Sequence, residues 1–265
     1  MRVFRAEHML KIEYREDRAG LYEIFSAAVT EIIVKKQSAG GKTVIGLSGG
    51  STPALFYKNL AENAGQSKHS AIRWDNVSFF LGDERHAAPD SAESNFGNAV
   101  ETLCSGSAIP KESVRPLVID KNVPKLISAD YEKKILSATG GSGAFDLVIL
   151  GMGADGHTAS LFAGTLRGAC DLNPKGFRKI KNIAPGSFFI SHYVPEKGAV
   201  RYTLTPEAIL TAEKIIMLVT GSEKASALRA AVTPETRLTE IPAAFVFQAF
   251  KNGTRPLTLI TDIRL

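Results

Sequence analysis

The stretch TVIGLSGGSTP, residues 43–53, joins an apolar run to a glycine-rich loop and then to a proline suited to the first turn of a helix. Nearly continuous apolar runs, typical of strands buried on both faces, recur at 77–81, 114–119, 145–150, 214–219 and 256–260. Helix-like stretches alternate with them at 18–37, 53–63, 95–104, 127–139 and 223–232. This alternation predicts an α/β fold: a doubly wound, three-layer α/β/α arrangement around a mostly parallel, Rossmann-like sheet.

The pattern indicates one domain over residues 1–265, because no linker-like boundary interrupts it. The least regular segment is 166–200, which is rich in glycine, proline and cations. We expect this segment to be a long excursion or a flap over a cleft.

Composition excludes several classes of function. The 265 residues include 44% hydrophobic ones, which is ordinary for a globular protein. The net charge is 32 − 27 = +5, and this mild positive balance suits a small anionic ligand. The basic residues are dispersed, which disfavours a nucleic-acid partner. No run is long and apolar enough for a membrane span, and residues 1–7 do not resemble a signal peptide, so we expect a cytoplasmic protein. Two cysteines and no Cys/His cluster predict neither a disulfide framework nor a metal site.

Three glycine-rich loops follow predicted strands, and right-handed crossovers are expected to place them together at one edge of the sheet. The first loop combines flexible glycines, hydroxyl groups and a helix N-terminus, which together suit a phosphate group. Its predicted binding residues are Ser48, Gly49, Gly50, Ser51 and Thr52.

The second loop places Asp83, Glu84 and Arg85 directly after the strand 77–81. The planar guanidinium of Arg85 suits a carboxylate or carbonyl oxygen of a ligand. An internal ion pair among the three side chains is the alternative. Ser94 and Asn95 are expected to cap the next helix.

The third loop, GMGADGH at 151–157, offers a carboxylate and an imidazole two residues apart. Its G-x-G-x-x-G spacing formally matches a dinucleotide site, but Asp155 would bring negative charge toward a pyrophosphate. We therefore interpret His157 as a base that takes a proton from water, with Asp155 orienting it. A helix-capping histidine with a structural aspartate is the alternative.

Two further cations are candidate ligands of an anion. Arg201 opens a short strand that runs into a helix start, and Lys224 lies in the first turn of a predicted helix. The helix dipole opposes a cation there, so a bound anion explains Lys224 better than helix stability does.

The chain resembles the 6-phosphogluconolactonase family, within the wider group that includes glucosamine-6-phosphate deaminases. The matching segments are LSGGSTP at 47–53, GDER at 82–85, SN at 94–95, LGMGADGHTASLF at 150–162, RYTLT at 201–205 and GSEK at 221–224.

The resemblance implies hydrolysis of 6-phospho-D-glucono-1,5-lactone in the pentose phosphate pathway, without metal or organic cofactor. It implies that His157 activates water with help from Asp155 and that Arg85 faces the lactone. The loop 48–52, Arg201 and Lys224 would hold the phosphate, with Asp83 also at the substrate. The expected partner is this small phosphosugar lactone, bound by a monomer or weak homodimer.

Two other functions stay open at this point. A glucosamine-6-phosphate deaminase would carry a glutamate five residues after the motif histidine, where this chain has Phe162. Asp83 matches the proton-shuttling aspartate of the deaminases. A non-catalytic phosphosugar-binding module would keep the phosphate loop and need no base.

Overall fold

The computed structural model describes residues 10–65, 72–119, 123–164, 186–251 and 256–265. Its strands are Leu10–Tyr14 (β1), Thr43–Leu47 (β2), Val77–Leu81 (β3), Asp83–Arg85 (β4), Val114–Arg115 (β5), Leu147–Gly151 (β6), Phe189–Val194 (β7), Ala199–Leu204 (β8), Ile215–Val219 (β9) and Leu257–Thr261 (β10). Seven of them form a parallel sheet in the order β1-β10-β9-β6-β2-β3-β5. A smaller antiparallel sheet has the order β4-β8-β7.

The described helices are Arg18–Ser38 (α1), Ser51–Ala64 (α2), Asn95–Cys104 (α3), Pro124–Ala138 (α4), Pro206–Thr211 (α5), Ala225–Val232 (α6) and Ala244–Lys251 (α7). In α1, Asp17 accepts a hydrogen bond from the Gly20 amide at 2.6 Å and so caps the helix. The buried residues Phe25, Val29 and Ile33 of α1 recur every four positions and form one apolar face of this helix. None of these helices, within the described ranges, is long and apolar enough to cross a membrane.

The central sheet is covered on both faces. Every residue of β2, β9 and β10 is buried, although successive side chains point to opposite faces. Helix α2 packs against α1 and α3, and helix α7 packs against α5 and α6. The predicted α/β fold with a mostly parallel sheet between helices is therefore confirmed.

Two strands differ from prediction for identifiable reasons. The run 114–119 forms a strand only over Val114–Arg115, because Pro116 has no N–H to continue the ladder. Strand β1 was not predicted, since it lies at the sheet edge with three exposed residues and lacks a continuous apolar run.

The described part of the segment 166–200 is not an irregular excursion. Residues 189–194 and 199–204 pair as an antiparallel hairpin, and β8 also pairs with β4. The proline and the glycine of this hairpin both lie in the turn that joins β7 to β8. Pro195 begins a short 3₁₀ turn there, and Gly198 has a φ of 58°. Residues 165–185 lie outside the described residues, and so does the greater part of the predicted flap.

The strand order brings the loops together. Strand β2 lies between β3 and β6, and β9 follows β6 on the far side. After β2 the chain adds β3 on one side of that strand, and it later returns to add β6 on the opposite side of β2. This reversal is the switch point at which open α/β sheets bind ligands beyond the carboxyl ends of their strands.

Candidate active site

A cavity of about 190 Å³ lies beyond the carboxyl ends of β9, β6, β2 and β3. All three glycine-rich loops contribute to it, together with the loop after β9. Its lining residues are Ser48, Gly49, Gly50, Ser51, Thr52, Pro53, Asp83, Arg85, Gly151, Met152, Gly153, His157, Ala159 and Lys224.

The first loop presents the start of α2 to this cavity. Gly50, with a φ of 98°, is the N-cap and makes no side-chain capping bond, so the amides of the first turn are not used by a cap. Gly49 is required by space, because a Cβ there would lie 2.1 Å from Asn95 Oδ1. The loop is therefore a compact cradle of N–H and hydroxyl donors, suited to an anion.

Ser48 connects the first and third loops. Its Oγ accepts a hydrogen bond from the Gly151 amide at 3.0 Å. The buried Tyr57 hydroxyl accepts from the Ser48 amide at 2.9 Å and donates to the Ser48 carbonyl at 3.0 Å. Burial raises the pKa of the Tyr57 hydroxyl, which therefore stays protonated and keeps both bonds.

The second loop leaves the main sheet at Gly82, whose amide donates to the Leu47 carbonyl at 2.6 Å. A Cβ at Gly82 would lie 2.8 Å from that carbonyl oxygen, so the close approach requires glycine. Alternation along β4 then points Asp83 and Arg85 into the cavity and Glu84 away from it.

Asp83 is a buried carboxylate at the cavity wall. It accepts hydrogen bonds from Ser160 Oγ at 2.9 Å and from Asn95 Nδ2 at 3.3 Å. Arg85 Nη1 donates to the Glu93 carbonyl at 2.8 Å, which steadies the guanidinium at the rim.

Glu84 fixes the helix that follows β4 rather than pairing with Arg85. Its carboxylate accepts from the amides of Arg85, Asn95 and Phe96 at 2.7–2.8 Å and from Ser94 Oγ at 3.3 Å. Two of these amides belong to the first turn of α3, whose N-cap is Ser94, as predicted. Sequence reasoning did not find this role, because three consecutive charges conceal which one faces inward.

The third loop holds the imidazole in a defined orientation. His157 Nδ1 makes a short contact with Asp155 Oδ1, which also accepts from the His157 amide at 3.2 Å. This contact to His157 is the main cause that lowers the pKa of Asp155 to about 2, so the carboxylate stays ionised. A carboxylate at Nδ1 favours the tautomer with a proton there, which leaves Nε2 as the acceptor.

Glycines make room for this pair. A Cβ at Gly153 would lie 2.3 Å from the His157 ring, and Gly156 has a φ of 77°. Ala159, which lines the cavity, also lies in the left-handed region, at a φ of 49°. Residues 152–158 form turns rather than the first turn of a helix, so the segment lacks the local structure of a dinucleotide site.

Lys224 approaches the first loop from the opposite side. Its Nζ lies 3.2 Å from Thr52 Oγ1, and burial lowers the pKa of the ammonium group against the influence of Glu223 and Asp262. A partly desolvated cation beside the first turn of α2 strengthens the attraction for an anion there.

Two predicted site residues lie outside the cavity lining. Asp155 sits behind His157 and contacts it. Arg201 lies on β8 directly across from Arg85 in the small sheet, where burial and the nearby Arg85 cation lower its pKa. The other nine predicted residues line the cavity. Five further lining residues were not predicted, because none carries a reactive group: Pro53, Gly151, Met152, Gly153 and Ala159.

No group of three His, Cys, Asp or Glu side chains within the described ranges is arranged to hold a metal ion.

Comparison with known proteins identifies clear relatives. A family model described as glucosamine-6-phosphate isomerases/6-phosphogluconolactonase matches residues 16–254. A 6-phosphogluconolactonase of Haemophilus influenzae is 35% identical over 209 residues, covering 79% of this chain and 81% of that protein. A 6-phosphogluconolactonase of Aggregatibacter actinomycetemcomitans is 34% identical over 218 residues, covering 82% and 84%. The crystal structure of 6-phosphogluconolactonase from Thermotoga maritima superposes with a TM-score of 0.71 at 28% identity, covering 95% of this chain and 99% of that one.

Proposed function

Since the chain belongs to the family of glucosamine-6-phosphate isomerases and 6-phosphogluconolactonases, we propose that it hydrolyses 6-phospho-D-glucono-1,5-lactone to 6-phospho-D-gluconate in the oxidative pentose phosphate pathway. The observation that carries this proposal is the imidazole of His157, which lines the cavity while Asp155 engages Nδ1. Nε2 is then the atom that accepts a proton from water.

The proposed reaction needs one general base. Nε2 of His157 removes a proton from water as its oxygen bonds to the lactone carbonyl carbon, and the carbonyl oxygen becomes an oxyanion. When the tetrahedral intermediate collapses, the bond to the ring oxygen breaks and the imidazolium returns its proton to that oxygen. A positioned base contributes about 10²–10⁴-fold in rate, which suits an activated ester that needs no covalent nucleophile.

The remaining cavity residues support binding at two ends of the substrate. The first-turn amides of α2, its hydroxyl groups and Lys224 together form the proposed phosphate site. Arg85 is the proposed contact for the lactone carbonyl or the product carboxylate, and Asp83 for sugar hydroxyls. Arg201, which is paired with Arg85 across β4 and β8, is proposed to add its charge to the positive potential there.

Two features oppose the other functions. Phe162 occupies the position at which a deaminase would carry glutamate, and its buried ring stacks on His157. An imidazole held at Nδ1 by a carboxylate is an arrangement suited to proton transfer, and a protein that only binds phosphosugars does not require it.

We further propose that a monomer or weak homodimer is sufficient, because one chain already supplies the base, Arg85 and the residues of the proposed phosphate site. The substrate carries a phosphate that does not cross membranes unaided, so we place the enzyme in the cytoplasm, where such sugars are phosphorylated. No nucleic acid enters this scheme.

The test uses freshly prepared 6-phosphogluconolactone at neutral pH, with acid release followed by a pH indicator against an enzyme-free blank. The proposal predicts hydrolysis well above the blank. A rate equal to the blank refutes it, and release of ammonia from glucosamine 6-phosphate at a comparable rate would assign the deaminase activity instead.

A further inference from the structure

The turn between β7 and β8 reaches across to the segment that follows His157. Glu196 Oε1 accepts a hydrogen bond from the Gly164 amide at 2.5 Å. Lys197, the next residue, places its Nζ 5.3 Å from the centroid of the Phe162 ring, within the range of a cation–π contact. One turn of the small sheet therefore holds residues 162 and 164 by two different interactions.

Phe162 in turn contacts the proposed base directly. Its ring stacks on the His157 imidazole with centroids 4.3 Å apart and an interplanar angle of 24°. The imidazole is thus fixed at Nδ1 by Asp155 and on one face by Phe162. A Cβ at Gly164 would lie 2.3 Å from Glu196 Oε1, which shows how closely the carboxylate approaches this backbone.

We propose that Glu196 and Lys197 are positioning residues for His157, acting through Phe162 and the backbone at Gly164. The inference rests on the proposed function only in naming His157 as the base. Neither residue lines the cavity, so neither is proposed to touch substrate.

The charge of Lys197 adds an electrostatic effect to this positioning. The charged groups around the imidazole are Asp155 on its own loop, Lys197 on the β7–β8 turn, and Asp83, Arg85 and Lys224 across the cavity. The contact with His157, and to a smaller extent Lys197, lowers the pKa of Asp155. This effect keeps the carboxylate that contacts Nδ1 of His157 ionised.

The experiment compares Lys197→Met with Lys197→Arg in the full chain. Lys197 is exposed, so both variants are expected to fold, and Lys133→Met on α4 is the matched control for loss of an exposed lysine. Lys197→Met should lower kcat about 2- to 5-fold, the equivalent of an exposed cation–π contact, with KM within about twofold. Lys197→Arg should restore kcat, since a guanidinium also packs on an aromatic face.

A second measurement does not depend on the lactone. The His157 ring proton resonance, assigned by its loss in His157→Gln, is recorded by NMR at one fixed pH in each protein. Its chemical shift should change in Lys197→Met, because the Phe162 ring that stacks on the imidazole loses its contact with the cation, and should stay at the wild-type value in Lys197→Arg and Lys133→Met. Wild-type protein with no lactonase activity would refute the proposed function and leave this shift as the test of positioning.

Three results would overturn the inference. The first is a Lys197→Met protein with wild-type kcat and an unchanged chemical shift of the His157 ring proton. The second is a rise in KM alone, which would make Lys197 a substrate contact. The third is an equal loss in Lys197→Met and Lys197→Arg.

Discussion

Replacing Glu84 by alanine tests how the small sheet and α3 hold the cleft together. The side chain is 2% exposed, and it accepts three short hydrogen bonds from backbone amides. The variant leaves those amides and the Ser94 hydroxyl without this acceptor, next to the helix N-terminus that the carboxylate also stabilises.

The magnitude follows from those contacts. A hydrogen bond to a charged group contributes about 1.5–3 kcal/mol. Burial raises the pKa of Glu84, whereas its amide donors act to lower it. The cost of desolvating the carboxylate therefore offsets part of the stability that these hydrogen bonds contribute. Taking the low end of the range for the three amides gives a loss of about 4.5 kcal/mol in the free energy of unfolding. For a domain of this size that loss corresponds to a fall of about 8 °C in Tm.

The assay is thermal unfolding followed by circular dichroism, with Glu93→Ala as the control. Glu93 is an exposed carboxylate beside Ser94 whose backbone carbonyl, rather than its side chain, meets Arg85. The control should stay within about 1 °C of the wild type. A Glu84→Ala protein with an unchanged Tm would refute the argument that this carboxylate holds β4 to α3.

Three more outcomes are expected. Gly49→Ala should lower the free energy of unfolding by about 1–3 kcal/mol in denaturant titrations, because the new Cβ overlaps Asn95. Gly65→Ala, which has open space around the new Cβ, should not lower it. Equal losses in the two variants would contradict the steric argument. Lys224→Met should raise KM for the phospholactone about 10- to 100-fold in steady-state kinetics with kcat nearly kept, and a fall in kcat alone would exclude a phosphate contact. Asp155→Asn should have a lower Tm than the wild type above pH 4, and the two Tm values should converge as the pH falls toward 2. The pKa of Asp155 is lowered in the folded state, so its carboxylate stabilises the fold above its unfolded pKa and no longer does so below its folded pKa. A Tm difference that does not vary with pH would contradict this linkage.

The convergence of the loops was predictable because each glycine-rich loop follows an apolar run, and parallel strands end at one edge of their sheet. Arg85 and His157, the side chains proposed to act on the lactone, stand in those loops and were visible for that reason.

The contacts that depend on long-range pairing were not predictable. Arg201 is a predicted phosphate ligand, but no local pattern indicates that its strand pairs with β4 and places it across from Arg85. Asn95 looked like a helix cap, but it bonds to Asp83 and packs on Gly49. In each case the partner is remote in sequence, and no local periodicity encodes the register that joins them.

The central claim is that His157 is the base that activates water. Its most direct test is kcat for 6-phosphogluconolactone hydrolysis by His157→Ala, with His86→Ala, an exposed histidine bonded to Tyr202, as the control. We expect kcat to fall at least about 10²-fold in His157→Ala while the variant still binds 6-phosphogluconate, and we expect nearly full activity in His86→Ala. A His157→Ala enzyme that keeps wild-type kcat would show that His157 is not the base.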